Sequence, residues 1–85
     1  MVYSTADSRL AAFLQVRGVV LSGTETRYQG EEDRVHLLFE VDDKRIAELK
    51  REFFEGALVP ALEFANFMKS TMHVIREARE LAREQ

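Results

Sequence analysis

Cysteine is missing from all 85 residues, so neither a disulfide framework nor a thiolate zinc centre can form, and a stapled secreted mini-protein is excluded. No run reaches the ~20 apolar residues that cross a bilayer. Asp7 and Arg9 stand where a signal peptide would carry its apolar core. The expectation is a cytoplasmic protein with no membrane insertion. Proline occurs once, at Pro60. No linker, low-complexity stretch or internal repeat divides the chain, so residues 1–85 read as a single domain.

Signatures of catalysis are missing too. There is no G-x-S-x-G elbow, no G-x-G-x-x-G fingerprint and no G-x-x-x-x-G-K-[ST] phosphate loop. The two histidines, His36 and His73, have no ligand-forming spacing, so no metal and no cofactor are expected. His36 is expected to be exposed beside Glu40, and His73 to sit at a packing boundary. Glu40, Asp42 and Asp43 are carboxylates at a strand exit, where helix capping accounts for the aspartates without acid–base chemistry. A non-enzymatic role follows.

A basic block is the third absence. Twelve Lys and Arg face fifteen Asp and Glu, for a net charge of −3. Lys44, Arg45, Lys50 and Arg51 alternate with Glu48 and Glu52, while Arg76, Arg79 and Arg83 alternate with Glu77, Glu80 and Glu84. Such interleaving describes solvated helix faces with local pairing. Nucleic-acid or nucleotide binding remains the alternative rather than the first reading, because it requires these cations to converge in space.

What is present is a globular balance, 46% apolar and 32% charged, well away from disordered composition. Met1 to Tyr3 read as a short strand. Ser4 followed by Asp7 has capping-box spacing, which predicts a first helix from about Thr5 to Arg17, ended by Gly18. Val19-Val20-Leu21 and the alternating Val35, Leu37, Phe39 and Val41 predict a hairpin. Its connection is expected through Gln29-Gly30-Glu31-Glu32-Asp33, as a mobile stretch longer than a two-residue turn, and Gly23 marks a bulge. Asp42 and Asp43 open a second helix with Ile46, Leu49, Phe53 and Ala57 on one face. Gly56 closes that helix, and Pro60 fits the first turn of a third.

The order is therefore β-α-β-β-α-α, an α+β fold in which helices cover a short antiparallel sheet. The last helix, about 60–85, carries Phe64, Phe67, Thr71, Val74, Ala78 and Leu81 at alternating spacings of three and four, and Met68, Ile75 and Ala82 widen the stripe. At ~1.5 Å per residue it exceeds what so small a core can cover. Its end is expected to project or to meet another chain, with Phe67, Met68, Met72, Ile75, Ala78, Leu81 and Ala82 as the interface for a protein partner or a homodimer. A ligand at the first corner would use Tyr3 to stack and Thr5 and Arg9 to hold an anion, and His36 is a further candidate ligand-binding residue.

The pattern Tyr3-Ser4-Thr5-x-Asp7-x-x-Leu10-Ala11-Ala12-Phe13-Leu14, then Gly18, Phe39-Glu40-Val41-Asp42 and Phe53-Phe54-Glu55-Gly56-x-Leu58 resembles a small uncharacterised domain family of phages, prophages and mobile elements. The resemblance covers most of the chain up to His73. It implies an accessory protein in the cytoplasm of a bacterial or archaeal host, acting stoichiometrically through protein binding as an inhibitor or modulator of a host factor. It transfers no catalytic residue.

Overall fold

Alternation along Arg34 to Glu40 becomes the middle strand of a three-stranded antiparallel sheet. The computed structural model describes residues 1–29 and 32–83. Its elements are β1 (Val2–Thr5), α1 (Ser8–Val16), β2 (Leu21–Gln29), β3 (Glu32–Glu40), α2 (Asp43–Phe54) and α3 (Ala61–Arg83), with strand order β1-β3-β2. Residues directly opposite in a ladder share a face. The pairings Tyr3↔Phe39, Thr5↔Leu37, Thr24↔Leu37 and Thr26↔Val35 therefore define an inner face, which the helices cover. The other face carries Val2, Ser4, Glu25, Arg27, Arg34 and His36.

α1 lies at the centre of the helical layer. Leu10, Ala11, Ala12, Phe13 and Leu14 are all buried, which is the signature of a helix enclosed on every side rather than along one stripe. The alanines let neighbouring backbones approach, while Phe13 meets Phe53 of α2 at 5.4 Å between ring centroids. Leu10, Leu14, Val35, Leu37, Phe39, Ile46, Leu49, Ile75 and Ala78 belong to the same core cluster.

Several element boundaries differ from the sequence expectation. α1 begins three residues later than Thr5, because Ser4 and Thr5 are committed to the ladder with Leu38 and Leu37. The cap is Asp7, whose carboxylate accepts from Arg9 N (2.9 Å) and Leu10 N (3.3 Å). At the far end Gly18 takes φ +89°, and Val19 N donates back to Leu14 O at 2.9 Å. Val19 thus belongs to the helix-closing turn and the core, so β2 starts at Leu21. The register slips between Leu21 and Gly23, and the Ser22 hydroxyl donates to Leu38 O at 3.0 Å, so the glycine does mark a bulge. β2 then continues through Thr24–Tyr28, where the sequence pattern predicts no element. β3 takes in Glu32 and Asp33, expected as connection; Gly30 and Glu31 lie outside the described residues.

Asp42 caps α2 by accepting from Arg45 N at 2.8 Å, and Gly56 turns the chain at φ +84°. Pro60 stands one residue before α3, its carbonyl accepting from Phe64 N. The 23 residues of α3 span about 34 Å at ~1.5 Å each, most of the molecule's 39 Å long axis. Thr71 is 1% exposed and would be costly there unpaired. Gln15 resolves this by donating from Nε2 to Thr71 Oγ1 at 2.9 Å, locking α1 to α3.

Candidate functional site

The four candidate ligand-binding residues do not converge. Tyr3 and Thr5 are on the inner face of the sheet and His36 is on the outer one. Tyr3 packs against the core, with Lys50 Nζ 5.5 Å from its ring centroid, so its face is already occupied. Thr5 is buried and its hydroxyl accepts from Asp7 N at 3.1 Å. The Asp7 carboxylate fills the start of α1, and Arg9 lies 3.7 Å from it. The segment is a strand-to-helix corner whose donors serve the chain itself.

His36 pairs across the ladder with Glu25, not along the strand with Glu40, which accepts instead from the Met1 ammonium at 3.2 Å. Strand geometry explains this, since residues four apart in a strand are separated by ~13 Å. Arg27 stands opposite Arg34 and Ser4 opposite Leu38, yet Arg27 Nη2 donates to Ser4 Oγ at 3.3 Å. The guanidinium therefore crosses β3 at the level of His36, whose two ring nitrogens are shielded from solvent and have no hydrogen-bond partner among the described residues. His73 also departs from expectation. It is an exposed residue, 3.0 Å from Glu77 one turn on, because its position faces away from the Thr71–Ile75–Ala78 line.

Carboxylates at the strand exit border a cleft of about 540 Å³ lined by Met1, Val20, Glu40, Asp42 and Arg45 among others. Glu40 holds the N-terminal ammonium and Asp42 caps α2. Arg45 reaches out of the same cleft to donate to Arg17 O at 3.2 Å, a cation at the negative end of α1. Among the described residues no three His, Asp or Glu side chains are grouped to hold a metal ion, and no helix is long and apolar enough to cross a membrane.

The α3 stripe divides in two. Ile75 and Ala78 are buried by the chain itself, so they are spent on the monomer core. Phe67, Met68 and Ala82 are half-buried, while Met72 and Leu81 are exposed. The last turns do not project freely. Ala78, Leu81 and Ala82 line a cleft with Thr24, Thr26 and Tyr28 of β2, and the small residues let the helix lie close to the strand.

The strongest apolar exposure is elsewhere, at the α2–α3 corner. Phe54 is 72% exposed, Leu58 92% and Leu62 76%, and no charged side chain interrupts the chain from Ala57 to Leu62. The scaffold beneath is firm. Phe53, Ala57, Val59 and Phe64 pack on the core, Ala57 N closes on Glu52 O at 3.0 Å, and Arg17 Nη2 donates to Leu58 O at 3.2 Å. Arg17 is itself fixed by Glu52 at 3.8 Å and by the Phe13 ring, 4.9 Å from its centroid. Sequence reasoning passed over this corner although a signal existed: Phe53 and Phe54 are adjacent at a helix end, so only one can face inward.

Along α3, Arg76, Arg79 and Arg83 line one cleft with Met72, Ile75 and Glu80. Among the described side chains, which exclude those of residues 29–33, none of the three arginines has an acidic partner within 4.0 Å. Comparisons with known proteins give no match, whether to family models, to curated proteins or to solved structures.

Proposed function

We propose that the protein is a non-catalytic binding module that engages an apolar surface of another protein through its α2–α3 corner. The observation that carries this reading is Leu58. A leucine held 92% exposed by the Gly56 turn and by the Arg17 bond to its own carbonyl is pre-positioned, so docking costs little ordering entropy. Phe54, four residues before it at the end of α2, and Leu62, four residues after it in the first turn of α3, are exposed as well, and apolar exposure concentrated in one stretch of chain supports an interaction site. The resemblance to accessory proteins of phages and mobile elements agrees with a stoichiometric role, inhibiting or modulating a host factor in the cytoplasm of a bacterial or archaeal cell.

Peptide display against the immobilised protein tests the reading. Apolar peptides should be enriched, and Leu58→Asp with Phe54→Asp should weaken the selected binders by about thirtyfold, the loss expected at a hot spot of about 2 kcal/mol. Binders that hold the double variant equally well would remove the corner from the binding surface.

The Arg76, Arg79 and Arg83 ridge favours a second reading, an anionic polymer such as nucleic acid. Affinity for a DNA oligonucleotide should then fall steeply with salt and lose slope when Arg79 is replaced by alanine. Absence of binding at low salt counts against it.

A further inference from the structure

β2 is an edge strand nine residues long, and none of its residues from Leu21 to Tyr28 is buried. The opposite edge, β1, has only four residues. Beyond the bulge, β2 runs from Gly23 to Gln29 in unbroken register with β3, so its outer side offers a regular row of backbone donors and acceptors. Long regular edges invite another strand. Beside this edge, on the helix side of the sheet, Tyr28 is 67% exposed and Leu81 63%, across the cleft that Thr24, Thr26, Ala78 and Ala82 complete.

We propose that this edge pairs antiparallel with β2 of a second copy of the chain, about a two-fold axis through Thr26, joining two three-stranded sheets into one. Charge selects that register. With Thr26 opposite Thr26, Glu25 of each copy lies opposite Arg27 of the other, so two oppositely charged pairs form on the outer face. Centring the axis on Glu25 or Arg27 would instead oppose like charges, which destabilises a ladder. Centring it between two residues would set an inner-face residue against an outer-face one and turn the helices of the two copies to opposite sides. The Thr26 register keeps both helical layers on one side and places Thr24 opposite Tyr28, so the cleft containing Tyr28 and Leu81 faces its counterpart. A two-fold contact of this kind is closed and adds no further copies at that edge.

Glu25 and Arg27 already form a pair within one strand, 3.3 Å apart and both substantially exposed. In the single chain Arg27 also donates to Ser4 Oγ across β3; joining two copies exchanges that bond for one to the partner strand's Glu25 and gives a ladder of four alternating charges. The inference is independent of the α2–α3 corner, whose residues lie on other elements.

Charge reversal in the full chain tests it. Sedimentation equilibrium of the wild type should show mass rising with concentration from 9.8 kDa towards twice that. Glu25→Arg alone opposes arginines and Arg27→Glu alone opposes glutamates, so each should weaken self-association at least about tenfold. Mixing the two variants restores opposite charges at both pairs, and a heterodimer should form. The double variant, with both charges exchanged, should dimerise like the wild type. Thermal melts showing each variant folded keep a loss of dimer from being a loss of fold. A wild type that stays monomeric at every concentration overturns the proposal, as does a dimer indifferent to either reversal or a mixture that fails to pair.

Discussion

β2 and β3 are two strands of nine residues in one hairpin, yet they do opposite work. β3 has neighbours on both edges and buries Val35, Leu37 and Phe39 under the helices. β2 has one neighbour, and at the matching inner positions it presents Thr26, Thr24 and Leu21, none of them buried. A strand's contribution to stability comes from what covers it rather than from its conformation. β3 is where the domain is held together, and β2 is where it remains open to another molecule.

The largest test of that contrast is Phe39→Ala. Removing a fully buried ring from β3 should cost about 3–5 kcal/mol, read as a fall in the urea midpoint at unchanged slope. A cost near 1 kcal/mol would show that the core does not centre on this strand. Next, Val35 and Thr26 lie directly opposite each other, so the two strands can be compared at one level of the sheet. Val35→Ala should cost about 2 kcal/mol, and Thr26→Ala less than about 1 kcal/mol. Equal costs would erase the distinction.

Smaller effects sharpen the contrast at the strand ends. Asp7→Ala should cost about 1 kcal/mol through loss of the α1 cap, whereas Ser4→Ala, at the position the sequence favoured for that cap, should stay within about 0.5 kcal/mol. Differential scanning calorimetry of the pair distinguishes the two caps directly. The smallest change is expected from Glu25→Ala on the margin. Measured by dilute chemical denaturation, it should leave the monomer within about 0.5 kcal/mol of the wild type.

How far the sequence was legible follows from whether a signal was local. The period of Val35, Leu37 and Phe39, the Asp42 cap and the positive φ at Gly18 and Gly56 depend on nearest neighbours and backbone sterics, and each is readable in the chain. The α1 cap was misplaced because Ser4-x-x-Asp7 satisfies a capping box locally, while pairing of Ser4 and Thr5 with β3 is set by residues more than thirty positions away. β2 was under-read because Thr24 to Tyr28 alternate polar with polar, leaving no apolar period to detect. The interface was sought on the apolar stripe of α3, half of which the chain uses itself. Leu58 and Leu62 were missed because exposure is a property of the assembled surface, whereas the adjacent Phe53 and Phe54 did carry a local signal that one ring must face outward.

The sequence by itself determined the α+β class, the order of six elements and the identity of most core residues, since periodicity and capping are read from residues a few positions apart. Tertiary structure alone decided which strand became an edge, that α1 is enclosed on all sides and that the end of α3 lies along β2. It also decided which apolar side chains remain uncovered. Those outcomes depend on which distant surfaces meet, and a side chain is buried or exposed according to what folds over it.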